Sequence, residues 1–129
     1  MPLIATPLYA GLAALLFLYL SVRVIGTRQS EKVSVGDGAN KAMIKAMRTQ
    51  SNCAEYAPIS LLLLLLVELQ GAPTWAVHAL GVMFLAGRLL HAIGFGRTPQ
   101  IIPLRKTGMI LTFSMMALSA LGLIAHSLI

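Results

Sequence analysis

Arg48-Thr49-Gln50-Ser51-Asn52-Cys53-Ala54-Glu55-Tyr56-Ala57-Pro58 runs directly into the apolar block 59–67. Read as one helix, Arg48, Asn52, Glu55 and Tyr56 stand at i, i+4, i+7 and i+8, so a cation, an amide, a carboxylate and a phenol share one face. The apolar block that follows is long enough to enter a bilayer, which puts this polar face at the mouth of a membrane helix. A face so polar does not point at lipid.

The rest of the chain agrees with that setting. It has 129 residues, of which 57% are hydrophobic and 11% charged, and a mean hydropathy of +0.82. Soluble domains carry about 25% charged residues, so this composition excludes an ordinary soluble globule and makes the bilayer the solvent. The length is that of one domain, 1–129. A net charge of +6 suggests nucleic acid in a soluble protein, but no polar domain exists here to present a basic surface, and no nucleic-acid partner is expected. The single cysteine, Cys53, excludes an intrachain disulfide framework and a thiolate metal cluster. His78 and His126 lack a carboxylate or Cys partner in sequence, so no metal is expected.

Four spans follow from the hydrophobic pattern, at about 3–25, 40–69, 74–95 and 104–128. The first is nearly unbroken apolar sequence up to Arg23, with no preceding basic segment and no small-residue cleavage site to make it a signal peptide. Residues 26–40 read as a solvated loop, with Asn40 placed to cap the second helix. Thirty residues in that helix give a rod of roughly 45 Å against a hydrocarbon core of about 30 Å, so its polar half projects. Pro58 removes a backbone donor where the two halves join. Pro73 opens the third helix, and Gly81, Gly87, Gly108 and Gly122 offer small surfaces for close packing. An all-α, four-transmembrane antiparallel bundle is the simplest topology.

All ten Lys and Arg lie in or beside the first and third loops. The positive-inside rule therefore makes that side cytoplasmic and leaves both termini on the other. The compact length and bare N-terminus fit a bacterial inner membrane. Orientation accounts for Lys32, Lys41, Lys45 and Lys106, but not for Asn52 and Glu55, which sit deeper. An intramembrane carboxylate faces protein or water and takes a cationic partner, with Arg48 on the same face and Arg28, Arg88 or Arg105 available from neighbouring helices. Arginine pairs a carboxylate through two parallel hydrogen bonds. Two readings of the spacing stay open: a structural ion-pair network, or a pocket for a small zwitterion bearing more than one carboxylate.

The run 48–58 closely resembles the second-helix signature of the MAPEG family, the membrane-associated proteins of eicosanoid and glutathione metabolism, above all its leukotriene C4 synthase and microsomal glutathione transferase members. Val24-Ile25-Gly26-Thr27-Arg28, Gly87-Arg88-Leu89 and Ala120-Leu121-Gly122-Leu123-Ile124-Ala125-His126 resemble other parts of the same pattern. The resemblance implies a homotrimer with glutathione as co-substrate, bound between protomers near the cytoplasmic side, and a hydrophobic small molecule or lipid entering from the bilayer. Carried over, Arg48, Asn52, Glu55 and Tyr56 hold glutathione, Arg28 and Gln50 approach it, and Arg88 binds it or braces Glu55. Arg105 takes the role of the catalytic arginine near the start of the fourth helix, placed by allowing a gap. The activity implied is a glutathione transferase or peroxidase; the alternative is a non-catalytic lipid- or partner-binding protein of the same fold. Where the synthase members have third-helix tyrosines this chain has His91 and Phe95, and His91 stands as the hydrogen-bond donor in their place. A small multidrug transporter is disfavoured, since the first helix contains no acid.

Overall fold

The computed structural model describes residues 2–129 and consists of four long helices: α1 (Thr6–Glu31), α2 (Lys41–Leu69), α3 (Thr74–Gly96) and α4 (Ile102–Leu128). Each is long and apolar enough to cross a membrane. Cross-helix contacts show consecutive helices running antiparallel. Gln50 on α2 donates to Ser21 on α1 while Thr6 donates to the Leu64 carbonyl, and Gly87 and Gly94 on α3 face Gly108 and Arg105 on α4. The central pair is α2 and α3; α1 and α4 flank them without touching each other.

Helix ends follow the local chemistry. Asn40 caps α2, its Oδ1 accepting from Met43 N at 2.9 Å, as the sequence predicts. The α2 rod runs unbroken through Pro58. Pro103 sits in the first turn of α4, where its missing N–H has no helical partner to lose.

Two expectations need correction. The first helix does not end at Ile25 but continues through Gly26 to Glu31, because a single glycine costs only about 1 kcal/mol and Thr27-Arg28-Gln29-Ser30-Glu31 contains no breaker. The stop is Lys32 in the left-handed conformation at φ 56, with Val33 N bonded to Arg28 O at 3.0 Å. Glu68, read from sequence as a solvated interface residue, is buried. Its carboxylate accepts from the backbone N–H groups of Ile4, Ala5 and Thr6 at 3.1, 2.8 and 2.9 Å. No side chain of α1 itself caps that end; the far end of α2 supplies both the acceptor and the negative charge that a helix N-terminus favours.

In lipid, helices gain little from burying apolar surface and associate through close packing. The closest approach is between α3 and α4, where a Cβ on Gly87 would lie 2.8 Å from Gly108 O and one on Gly94 would lie 2.4 Å from Arg105 N. Gly81 gives room to the Tyr9 ring, whose hydroxyl bonds His78 Nδ1 at 2.8 Å. Gly122 meets nothing within 4 Å, so its expected packing role is not used within the chain. Tyr9, Leu64, Val77, Phe84 and Met115 form the core. Leu15, Val22 and Ile110 remain exposed, as lipid-facing residues should.

Candidate functional site

The polar face of α2 divides into two parts. Asn52 and Tyr56 turn inward, half-buried, while Arg48 and Glu55 stay exposed. Asn52 and Tyr56 meet Arg88 of α3, which is only 2% exposed. The guanidinium donates through Nη1 to Asn52 Oδ1, and to the Asn52 carbonyl at 3.3 Å. Through Nε and Nη2 it donates to Thr112 Oγ1 of α4 at 3.1 and 3.0 Å, and Nη2 also reaches Met109 Sδ at 3.2 Å. Its carbon lies 5.5 Å from the centroid of the Tyr56 ring, a cation–π distance. Tyr56 in turn meets Phe113 edge to face, 5.5 Å between centroids. Thus α2, α3 and α4 converge on one buried arginine.

None of these partners is a carboxylate. A buried cation is ordinarily neutralised by an anion, whereas Arg88 is held by an amide, a hydroxyl, a thioether and a π face. The sequence offered Glu55 as its partner; the structure gives that place to Asn52 and Thr112 and leaves Glu55 on the surface.

A second group lies nearer the basic end. His91, one turn after Arg88, is buried and stacked on Phe95 at 5.6 Å with an interplanar angle of 10°. Arg105 also stands over the Phe95 ring, 4.6 Å from the centroid, with Nη1 bonded to Gln100 Oε1 at 2.9 Å. Glycine makes this possible: any side chain at Gly94 would displace the start of α4 and Arg105 with it.

Arg105 heads an apolar cleft of about 520 Å³ along α4, continuing over Lys106, Met109, Ile110 and Phe113. Met109 and Phe113 are the same side chains that touch Arg88 and Tyr56, so the cleft and the buried arginine share a wall. The cleft is lined by α4 alone, and its opposite side is open.

The remaining site candidates lie apart. Gln50 turns to α1 and donates to Ser21 at 2.9 Å. Arg28 binds its own loop, through Nη1 to the Val33 and Gly36 carbonyls at 3.3 and 2.7 Å. Thr112, Met109, Phe113 and Gln100 were not singled out from sequence. The usable signal was Thr112, a hydroxyl in an apolar span one turn beyond Gly108, on the face the glycine marks for close packing.

Comparison with known proteins decides the relationship. The model of the MAPEG family matches residues 6–125. The chain belongs to this family. It is also similar to Inner membrane protein YecN of Escherichia coli strain K12, 39% identical over 115 residues that cover 89% of this chain and 86% of the relative. The protein of the same name from Escherichia coli O6:H1 gives the same figures. As a MAPEG member the chain is a four-helix membrane bundle, and the polar stretch 48–58 lies within the matched region.

Proposed function

We propose that this MAPEG protein is a membrane-bound glutathione transferase or peroxidase, acting as a homotrimer in a bacterial inner membrane with both termini on the non-cytoplasmic side. The observation that carries this reading is that, among the described residues, α2 leaves Arg48 and Glu55 exposed and unpaired, on the same helix whose Asn52 and Tyr56 meet the uncompensated charge of Arg88. Counting about 30 Å of hydrocarbon back from Leu69 takes in roughly twenty residues, so Arg48 stands at the membrane edge and Glu55 inside it. Ionisable groups at that depth require partners. Glutathione brings carboxylates and an ammonium, which match the exposed Arg48 and Glu55. A second protomer against α2 encloses the ligand and closes the open side of the α4 cleft.

In this reading Arg48, Asn52, Glu55 and Tyr56 hold glutathione, with Arg88 fixing Asn52 and Tyr56 from behind. Arg28 and Gln50 approach from the α1 side, and His91 orients beneath Phe95. Arg105 is the catalytic residue: its positive charge favours the thiolate over the thiol. The thiolate sulfur forms a bond to an electrophilic carbon of a lipophilic substrate lying in the α4 cleft, and the leaving group departs with the electron pair. With a lipid hydroperoxide, two glutathiones are oxidised to the disulfide while the peroxide is reduced to an alcohol and water. Holding both reactants at one membrane edge supplies the remaining rate gain.

A non-catalytic member that binds lipid or a partner is the second reading, favoured by Phe95, whose ring gives Arg105 a π face and no hydroxyl. Calorimetry on the intact oligomer in detergent separates the two. Glutathione binding with a thiolate absorbance and turnover supports the enzyme; absence of binding overturns it; binding without thiolate or turnover selects the second reading.

A further inference from the structure

A groove of about 410 Å³ lies between α1 and α3, and no residue of α2 lines it. Its lining comes from α1 and α3, whereas Arg48 and Glu55 stand exposed on α2. Its walls are Leu16, Leu20, Leu89 and Ile93, and its mouth carries Arg23 and Arg97.

The mouth is built, not incidental. Arg23 Nη2 donates to the Gly96 carbonyl at 2.6 Å, which pins the guanidinium against the end of α3. A Cβ on Gly96 would lie 2.5 Å from Arg23 Nη1, so the guanidinium packs directly on the glycine and any side chain there would push it aside. The exposed Arg97 follows directly as the residue that ends α3. None of the four acidic residues lines the groove. Arg23 lies seventeen residues beyond Thr6, roughly 25 Å along α1, which sets its charge near the boundary of the hydrocarbon with the headgroups. An apolar slot between spans, topped by one pinned and one exposed cation at that depth, matches a molecule with an acyl chain and a phosphate.

We propose that the α1–α3 groove binds an anionic phospholipid, its phosphate between Arg23 and Arg97 and an acyl chain along Leu16, Leu20, Leu89 and Ile93. The site is independent of the glutathione reading and needs only the membrane fold.

The full chain in lipid nanodiscs, probed with spin-labelled phosphatidylglycerol and phosphatidylcholine, tests it by electron paramagnetic resonance. The expected preference for phosphatidylglycerol is about thirtyfold, from two basic groups near the surface. Arg23→Gln with Arg97→Gln should reduce it below about twofold, while Lys32→Gln with Lys41→Gln, outside the groove, should leave it nearly unchanged. A preference that survives the arginine pair, or falls equally with the lysine pair, overturns the proposal. A photoreactive phosphatidylglycerol on the unmodified protein gives a readout that does not depend on variant folding. Labels on 16–23 and 89–97 support the site; labels confined to other segments, or a cross-link from Tyr19→Cys to a second copy, overturn it.

Discussion

Arg88 and Asn52 join the two central helices through a bond from guanidinium to side-chain amide oxygen, in a place where a carboxylate would be the usual acceptor. An amide leaves the positive charge unneutralised. The bundle thus holds an unneutralised cation against the inward side of α2, which a neutral or ion-paired network would not do.

Asn52→Ala should therefore harm stability and ligand binding together. Losing the acceptor of a charged donor costs about 1.5–3 kcal/mol, visible as a lower unfolding midpoint in detergent. Asn52→Asp should instead neutralise Arg88, keep the fold, and weaken glutathione affinity by tenfold or more. Unchanged glutathione affinity in Asn52→Asp would show that the charge of Arg88 is not felt at the site.

Arg105 and Arg48 should separate chemistry from binding. Arg105→Ala is expected to abolish turnover while leaving glutathione affinity within a few-fold, and Arg48→Ala to weaken affinity itself. Steady-state kinetics with calorimetry on the same preparations read both. Full activity in Arg105→Ala would remove it from the catalytic role.

Gly94→Ala tests whether α3 positions Arg105. With backbone within 2.4 Å of the added carbon, α4 must shift, at a cost of about 1–3 kcal/mol typical of overpacking, and activity should fall at least tenfold. Gly122→Ala, with open space around it, should leave both activity and melting temperature within error. Equal effects of the two would contradict the packing described for α3 and α4.

Glu68→Ala should detach the start of α1. Hydrogen bonds to a charged group contribute about 1.5–3 kcal/mol each at most, so the loss expected for three sharing one carboxylate is roughly 2–4 kcal/mol. Hydrogen exchange should rise at residues 4–6 and stay flat in α4. Uniformly raised exchange would mean that Glu68 supports the whole bundle instead.

The four spans, the Asn40 cap and the polar face of α2 were legible in sequence because each depends on local pattern: apolar length, a capping side chain, helical spacing. The split of that face was not. Asn52 and Tyr56 turn inward and Glu55 outward because α3 and α4 present Arg88, Thr112 and Phe113 on one side only, and spacing along one helix does not contain that. Arg105 stands over the Phe95 ring near the start of the fourth helix, which opens at Ile102, two residues earlier than expected. Glu68 was unreadable for the same reason as Asn52: its partners are backbone N–H groups more than sixty residues away, and main-chain donors leave no mark in a sequence.

The Glu68 contact also bears on how the chain is made. During synthesis the first span leaves the ribosome before the second, so its leading turn is exposed before Glu68 can accept from its three N–H groups. Only when the second span has crossed in the opposite direction does the carboxylate arrive to satisfy them. The contact rewards one topology of the hairpin, with the N-terminus and the end of the second span on the same side.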